Sequence, residues 1–259
     1  MMLVDSHCHL DRLDLTACSP QHLDTVIDQA HAAGVGAMLC VGISEANAGT
    51  VKQLAETYPC VYASVGVHPL DISETVITHQ ALAALANHPK VVAIGETGLD
   101  NHYGEAAADQ TASFVVHLEV AKQLQLPVIV HTREAKNVTI QLIREHACDQ
   151  YAGVLHCFTE DWAMAKAALD CGFYISLSGI VTFKNATSLK DIAKKIPADR
   201  LLVETDAPYL TPVPFRSKPN YPAHTREVAQ YVADLRGDSL VELAQYTTAN
   251  FYRLFSKAA

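Results

Sequence analysis

The sequence predicts an α/β fold of the (β/α)₈ barrel type, the TIM barrel. Three observations point there. Eight short, almost continuous apolar runs alternate with segments of helical period, the look of parallel strands buried on both faces. The chain has 259 residues, the size of eight βα units closed into one barrel. Six of the eight runs end in a histidine or an acid, and a barrel gathers such ends on one rim. A doubly wound open sheet also alternates, but with fewer strands as a rule. With no linker or shift of composition to divide it, the chain reads as a single barrel domain over residues 1–259.

The elements follow in order. Residues 3–7 form the first strand, and 20–33 a helix with Leu23, Ile27 and Ala30 on one face and Gly34 as its stop. The second strand is 36–41; the helix over 45–58 is closed by Pro59. Strand three, 61–67, runs into His68-Pro69, and a weakly patterned helix covers 78–87. Strand four, 90–95, runs into Glu96-Thr97-Gly98-Leu99-Asp100, and the long helix 106–126 is stopped by Pro127. Strand five, 127–130, ends at His131-Thr132-Arg133 before a helix over 134–146. Strand six, 153–155, ends at His156-Cys157, before a helix over 161–171. Strand seven is 173–177, followed by a short helix at 189–196. Strand eight, 200–203, ends at Glu204-Thr205-Asp206. A proline-rich loop over 207–222 and two helices, 223–235 and 239–255, complete the chain.

Composition narrows the class. Hydrophobic residues make up 49% and charged residues 18%, enough for a large core and against disorder. No apolar run reaches the ~18 residues that span a bilayer, and no secretory signal pattern is present, so no membrane partner is expected. Seven scattered cysteines without a Cys-x-x-Cys pair read as reduced thiols of a cytoplasmic protein. The net charge of −9 means that a polyanion must meet a local positive site.

The chemistry lies at the strand ends. Residues i and i+2 of a strand share a face, so His7 and His9 point the same way and can hold one divalent cation. His131, His156, Glu96 and Asp206 end other strands. Four imidazoles and two carboxylates exceed one tetrahedral site and suit two divalent cations, with Glu96 as the bridge. Between two such cations a water ionises near neutral pH, and Asp206 is placed as general acid/base. His68 is read as a substrate contact or as a rim histidine ahead of Pro69. Asp5 and Glu204 are expected on the inward face, one layer below His7 and Asp206. His22, His31, His79, His88, His117 and His146 fall on predicted helices or their ends and read as surface or packing residues.

Together these segments resemble the TatD family of metal-dependent deoxyribonucleases. They are Asp5-Ser6-His7-Cys8-His9-Leu10-Asp11, Gly66-Val67-His68-Pro69, Gly95-Glu96-Thr97-Gly98-Leu99-Asp100, Val130-His131-Thr132-Arg133, Leu155-His156-Cys157-Phe158 and Glu204-Thr205-Asp206-Ala207-Pro208-Tyr209-Leu210. The likeness spans the chain and is strongest to YcfH-type bacterial members. It implies a barrel of the metal-dependent hydrolase type in the amidohydrolase-like superfamily. It further implies His7, His9, Glu96 and Asp206 at one metal and Glu96, His131 and His156 at the other, with His68 on the phosphate side. Two loops depart from the family pattern. Asn101-His102-Tyr103-Gly104 replaces a run of aromatics, and Arg216-Ser217-Lys218-Pro219-Asn220 replaces an Arg-Gly-Lys-x-Asn signature.

Arg133, Lys184, Arg216 and Lys218 fall in rim loops and are candidate phosphate contacts. A positive spot in a negative field favours short or single-stranded nucleic-acid ends over a long duplex. The expected reaction is phosphodiester hydrolysis at such ends, 3′-5′ exonuclease-like, with Mg²⁺, Mn²⁺ or Zn²⁺. The alternative is a small-molecule amidohydrolase or lactonase on the same barrel. Glu96 stands where the lysine-bridged branch of such enzymes needs lysine. A Cys–His nucleophile from Cys157 and His156 is disfavoured, because adjacent strand residues face opposite ways.

Overall fold

The computed structural model describes residues 2–17, 22–72, 75–102 and 107–259. Eight parallel strands lie side by side in chain order: β1 (Leu3–Cys8), β2 (Val35–Cys40), β3 (Val61–Val65), β4 (Val91–Asp100), β5 (Val128–Arg133), β6 (Gly153–Leu155), β7 (Tyr174–Leu177) and β8 (Leu201–Val203). The sheet curls until its two ends meet. Asp206 N donates to His7 O at 2.9 Å, and His9 N donates to Ala207 O at 2.8 Å. The result is a nearly closed TIM barrel.

Helices alternate with the strands: α1 (Leu23–Ala32), α2 (Ala48–Thr57), α3 (His79–Ala86), α4 (Ala107–Leu124), α5 (Lys136–His146), α6 (Trp162–Asp170), α7 (Thr187–Lys195), α8 (Thr225–Arg236) and α9 (Leu240–Leu254). Their ends follow local chemistry. The Asp161 carboxylate accepts from Met164 N at the start of α6, and Ser239 and Glu242 form a reciprocal cap on α9. α2 begins later than its sequence pattern predicts because Asn47 Oδ1 accepts from Ile43 N and Ser44 N, which folds the approach into a turn. Pro20 and Ala106, the expected first residues of two helices, lie outside the described residues, as do Tyr103 and Gly104. Among the described residues no helix is long and apolar enough to cross a membrane.

Two apolar layers fix the barrel wall. Val4, Leu39, Ile129, Val154 and Leu202 form one cluster with Phe251 of α9 and Phe255 just beyond its end. Leu3, Met38, Val65, Leu118 and Phe114 belong to the larger cluster shared by strands and helices. Burying one such side chain contributes roughly 1.5–3 kcal/mol, so slippage of a strand by one residue is strongly disfavoured.

Two irregularities aim the site. On β1, Asp5 to Cys8 spans three steps against two on β2, from Met38 to Cys40. On β4, Ile94 to Thr97 spans three steps against two on β5, from Val128 to Val130. These bulges fall at His7 and at Glu96. The first also corrects an expectation. Asp5 is in register with Met38 of the outer cluster and accepts from Thr205 N at 2.9 Å and Thr205 Oγ1 at 2.5 Å. It braces β1 against β8 and does not sit beneath His7. Nor does β4 stop at Gly95, because Thr97–Asp100 pairs on with β5. Gly95 and Gly98 have φ of +129° and +139°, and a Cβ on either would strike the carbonyl oxygen of Ile129 or His131. The Gly95–Glu96 peptide is cis.

Candidate metal centre

Glu96 stands at the middle of the site with its side chain almost fully buried. Around its Oε2 lie donors from β1 and from the loop after β8, the two ends of the sheet that meet. His7 Nε2 and His9 Nε2 are 3.3 Å apart. Glu96 Oε2 is 3.4 Å from the first and 3.8 Å from the second. Asp206 Oδ1, from the loop after β8, is 3.7 Å and 3.5 Å from the same nitrogens. In a tetrahedron with bonds of about 2.1 Å, neighbouring ligand atoms stand roughly 3.4 Å apart. The separations of His7 and His9 from each other, from Glu96 and from Asp206 lie near that spacing, and His7, His9 and Glu96 form one mutually close donor group.

Glu96 Oε1 faces a second group. His156 Nε2 is 2.8 Å away, His131 Nδ1 3.3 Å and His68 Nε2 3.5 Å. The ring of His156 stacks on that of His7 with centroids 3.9 Å apart. Outer carboxylates hold both rings. Asp100 Oδ2 lies 2.9 Å from His131 Nε2. Glu204 Oε1 lies 3.4 Å from His156 Nδ1 and accepts from Cys157 N at 2.7 Å. A carboxylate behind the imidazole fixes its orientation and raises its basicity, as metal-bound histidines require.

The field of the site favours positive charge. Burial pushes the Glu96 carboxyl up, but the charges of His156 and His68 and hydrogen bonds from His131 and His156 outweigh it and hold it well below its ordinary value. Burial alone would depress His156, yet the Glu96 charge and the Glu204 hydrogen bond raise it well above its usual value. His9 is raised by Asp206 and His131 by Asp100 and Glu96, again against burial. His7 is lowered by burial and by His156, and its Nδ1 is buried without a hydrogen-bond partner. A site that concentrates protons on nitrogen donors is one where divalent cations can displace them. Donor chemistry, spacing and field all fit divalent metal.

The family model for "TatD related DNase" matches residues 4–256. The chain belongs to the TatD family. Among its relatives is the uncharacterized metal-dependent hydrolase YcfH of Escherichia coli K12. It is 48% identical over 256 residues, covering 98% of this chain and 96% of the relative. A Citrobacter koseri relative named 3′-5′ ssDNA/RNA exonuclease TatD is 38% identical over 242 residues, covering 91% of this chain and 93% of its own length. The crystal structure of the TatD homologue YjjV from E. coli K12 matches with a TM-score of 0.88 at 30% identity, covering 98% of both chains. This TatD-family protein is a metal-dependent hydrolase.

Its cavity, about 700 Å³, opens above Glu96 and is lined by His9, His68, His131, His156 and Asp206 together with Arg133. Lys184, Arg216 and Lys218 do not line it. The Arg216 guanidinium lies instead over the Phe183 ring, 3.7 Å from its centroid, and Lys218 Nζ is 5.4 Å from that of Phe215. Among the lining residues that the sequence did not offer as candidates are Arg12, Asp71, Asp100 and Tyr209. Asp100 carried a signal, an acid four residues past Glu96 on one continuous strand. Tyr209 is half exposed at the mouth, and its ring centroid lies 6.2 Å from that of His9. The departed loop signature keeps its asparagine: Asn220 Nδ2 donates to Thr205 O and Tyr209 O, tying that loop to the site. The setting of Cys157 is that of a protonated thiol. Its thiol contacts Ser178 Oγ at 3.1 Å, and burial, followed by the charges of Asp206 and Glu204, pushes it well above its ordinary value.

Proposed function

We propose that the protein is a deoxyribonuclease that removes nucleotides from the 3′ ends of short or single-stranded nucleic acid, using two divalent cations. The observation that carries this reading is Glu96, one carboxylate whose two oxygens face two separate donor sets. His7, His9, Glu96 and Asp206 would hold one cation; Glu96, His131 and His156 would hold the other. Bound there, Mg²⁺, Mn²⁺ or Zn²⁺ would supply the charge that acidifies water and offsets negative charge on the reacting phosphate.

The chain's own side chains do the rest. Burial would raise Asp206, but the His9 hydrogen bond and the charges of His7 and His9 outweigh it and hold the carboxyl below its ordinary value, so it stands ionised, the form a general base starts from. As the water oxygen bonds to phosphorus and the P–O3′ bond breaks, Asp206 takes the water's proton and then delivers it to the leaving O3′. Arg133 and Arg12 reach phosphate oxygens from the cavity wall, and Tyr209 offers a face to the terminal base. His68 is a neutral donor or acceptor, since burial above all lowers it to about 4. The activity belongs to one barrel domain over residues 1–259. The six described cysteines are free thiols, in keeping with a cytoplasmic protein.

The test is turnover of a 5′-labelled single-stranded oligonucleotide by metal-stripped protein given Mg²⁺, Mn²⁺ or Zn²⁺ in turn. A ladder shortening from the 3′ end with metal, and none with chelator, is expected. Hydrolysis of a lactone or amide panel with intact oligonucleotide would move the function to a small-molecule hydrolase.

A further inference from the structure

Charge is unevenly shared around the barrel mouth. Among the described residues, five of the first six loops that leave a strand end carry a carboxylate: Asp11, Glu45, Asp71, Glu134 and Glu160. The last two differ. Residues 178–186 after β7 contain no acid, and neither do residues 207–224 after β8, beyond the site residue Asp206. Between them these loops carry Lys184, Arg216 and Lys218, all exposed. In a chain of net charge −9, this sector of the rim is positive.

The sector is built rather than loose. Val213 N donates to Thr182 Oγ1 at 2.9 Å, which stitches the two loops together. Thr211 Oγ1 donates to Lys218 O at 2.9 Å, and Arg216 Nη1 donates to Thr211 O at 3.3 Å. Phe183 lies under Arg216 and Phe215 under Lys218, so each of these cations is carried on an aromatic face. The sector is also continuous with the cavity, because Ile180, Tyr209 and Leu210 from the same loops form part of the cavity wall.

We propose that this acid-free sector is the track for the part of a single strand that stays outside the cavity, upstream of the end being hydrolysed. The inference rests on the nuclease reading and extends it from the reacting end to the strand. Cations held in place on aromatic rings contact phosphates without reading base edges, so the track tolerates any sequence. It also gives Lys184, Arg216 and Lys218 work that their distance from the cavity denies them at the scissile phosphate. Strand length, rather than end chemistry, is what the track senses.

The experiment compares binding of a fluorescent thymidine 12-mer with that of a thymidine dinucleotide. Both carry hydrolysis-resistant phosphorothioate linkages, and the protein is full-length and metal-loaded. The wild type is expected to bind the 12-mer at least about tenfold more tightly. Three phosphate contacts on a single strand should also steepen its log-affinity against log-salt slope by about 2 relative to the dinucleotide. In the variant K184A/R216A/K218A both differences should collapse. Equal affinities and slopes for the two lengths in the wild type would overturn the proposal without reliance on any variant. So would a variant that keeps the length gain. Turnover of a small chromogenic phosphodiester by the wild type reports separately on the nuclease reading. Turnover without a length gain removes the track and keeps the nuclease; a length gain without turnover does the reverse.

Discussion

Glu96 Oε1 lies 2.8 Å from His156 Nε2, while the other oxygen of the same carboxylate lies 3.4 Å from His7 Nε2. One buried side chain thus joins β1 to β6 across the barrel. Glu96→Gln keeps the shape but turns an acceptor into a donor facing imidazole or metal. Turnover should nearly vanish. In the wild type, a divalent ion at 100 times its Kd should add about 2.7 kcal/mol of stability. For a chain of this size that raises Tm by roughly 5–10 °C. Thermal scans with and without metal check this: the shift should be present in the wild type and small in Glu96→Gln.

Asp100 Oδ2 lies 2.9 Å from His131 Nε2, behind the ring atom that faces Glu96. Asp100→Asn should lower metal affinity or turnover by about 10–100-fold while leaving Tm within a few degrees. Metal titration followed by initial rates will show it. Glu204→Gln, behind His156, should behave likewise.

His117 on α4 is fully buried, and its Nε2 accepts from Val67 N at 2.9 Å, next to His68. Burial lowers it to about 4 from an ordinary 6.5. The unfolded chain takes up a proton below pH 6.5, whereas the folded one does so only near pH 4. His117 therefore stabilises fully above pH 6.5, and that contribution shrinks as pH falls towards 4, by about 3 kcal/mol in all. Asp5 acts with the opposite sign, because burial raises it to about 7, and it favours folding as pH falls from 7 towards 3.8. The two trends offset each other in the wild type. The diagnostic is the difference between wild type and His117→Gln in denaturant unfolding from pH 7 to 4.5. The variant's deficit should narrow as pH falls; a constant deficit would contradict the assignment.

Tyr209 is half exposed at the mouth of the cavity. Tyr209→Ala should raise KM for a single-stranded end by roughly tenfold, the worth of one base stacked on an aromatic ring. Tyr209→Phe should stay near wild type, and a strand ending in an abasic site should not distinguish the variants. Steady-state kinetics on the two substrates separate these outcomes.

The barrel was legible because eight apolar runs and their breaks need no long-range information. His7 and His9 were legible for the same reason, since period-2 alternation survives between them. What alternation could not show is a bulge. It misplaced Asp5, which the β1 bulge leaves facing Thr205, and it ended β4 at Gly95, although pairing with β5 carries the strand to Asp100. Nor does charge encode the direction of a loop. Arg133 and Lys218 read alike in sequence, yet Arg133 lines the cavity while Lys218 lies beside Phe215 outside it. Arg12 lay unnoticed behind the His7/His9 motif.

A Glu96 carboxylate shared by two cations, as proposed, requires two ions per chain, and counting them tests it most directly. Elemental analysis of protein dialysed to equilibrium against Mn²⁺ should find two ions per wild-type chain and fewer than one in Glu96→Ala. A single ion in the wild type, or two retained in Glu96→Ala, would contradict the account.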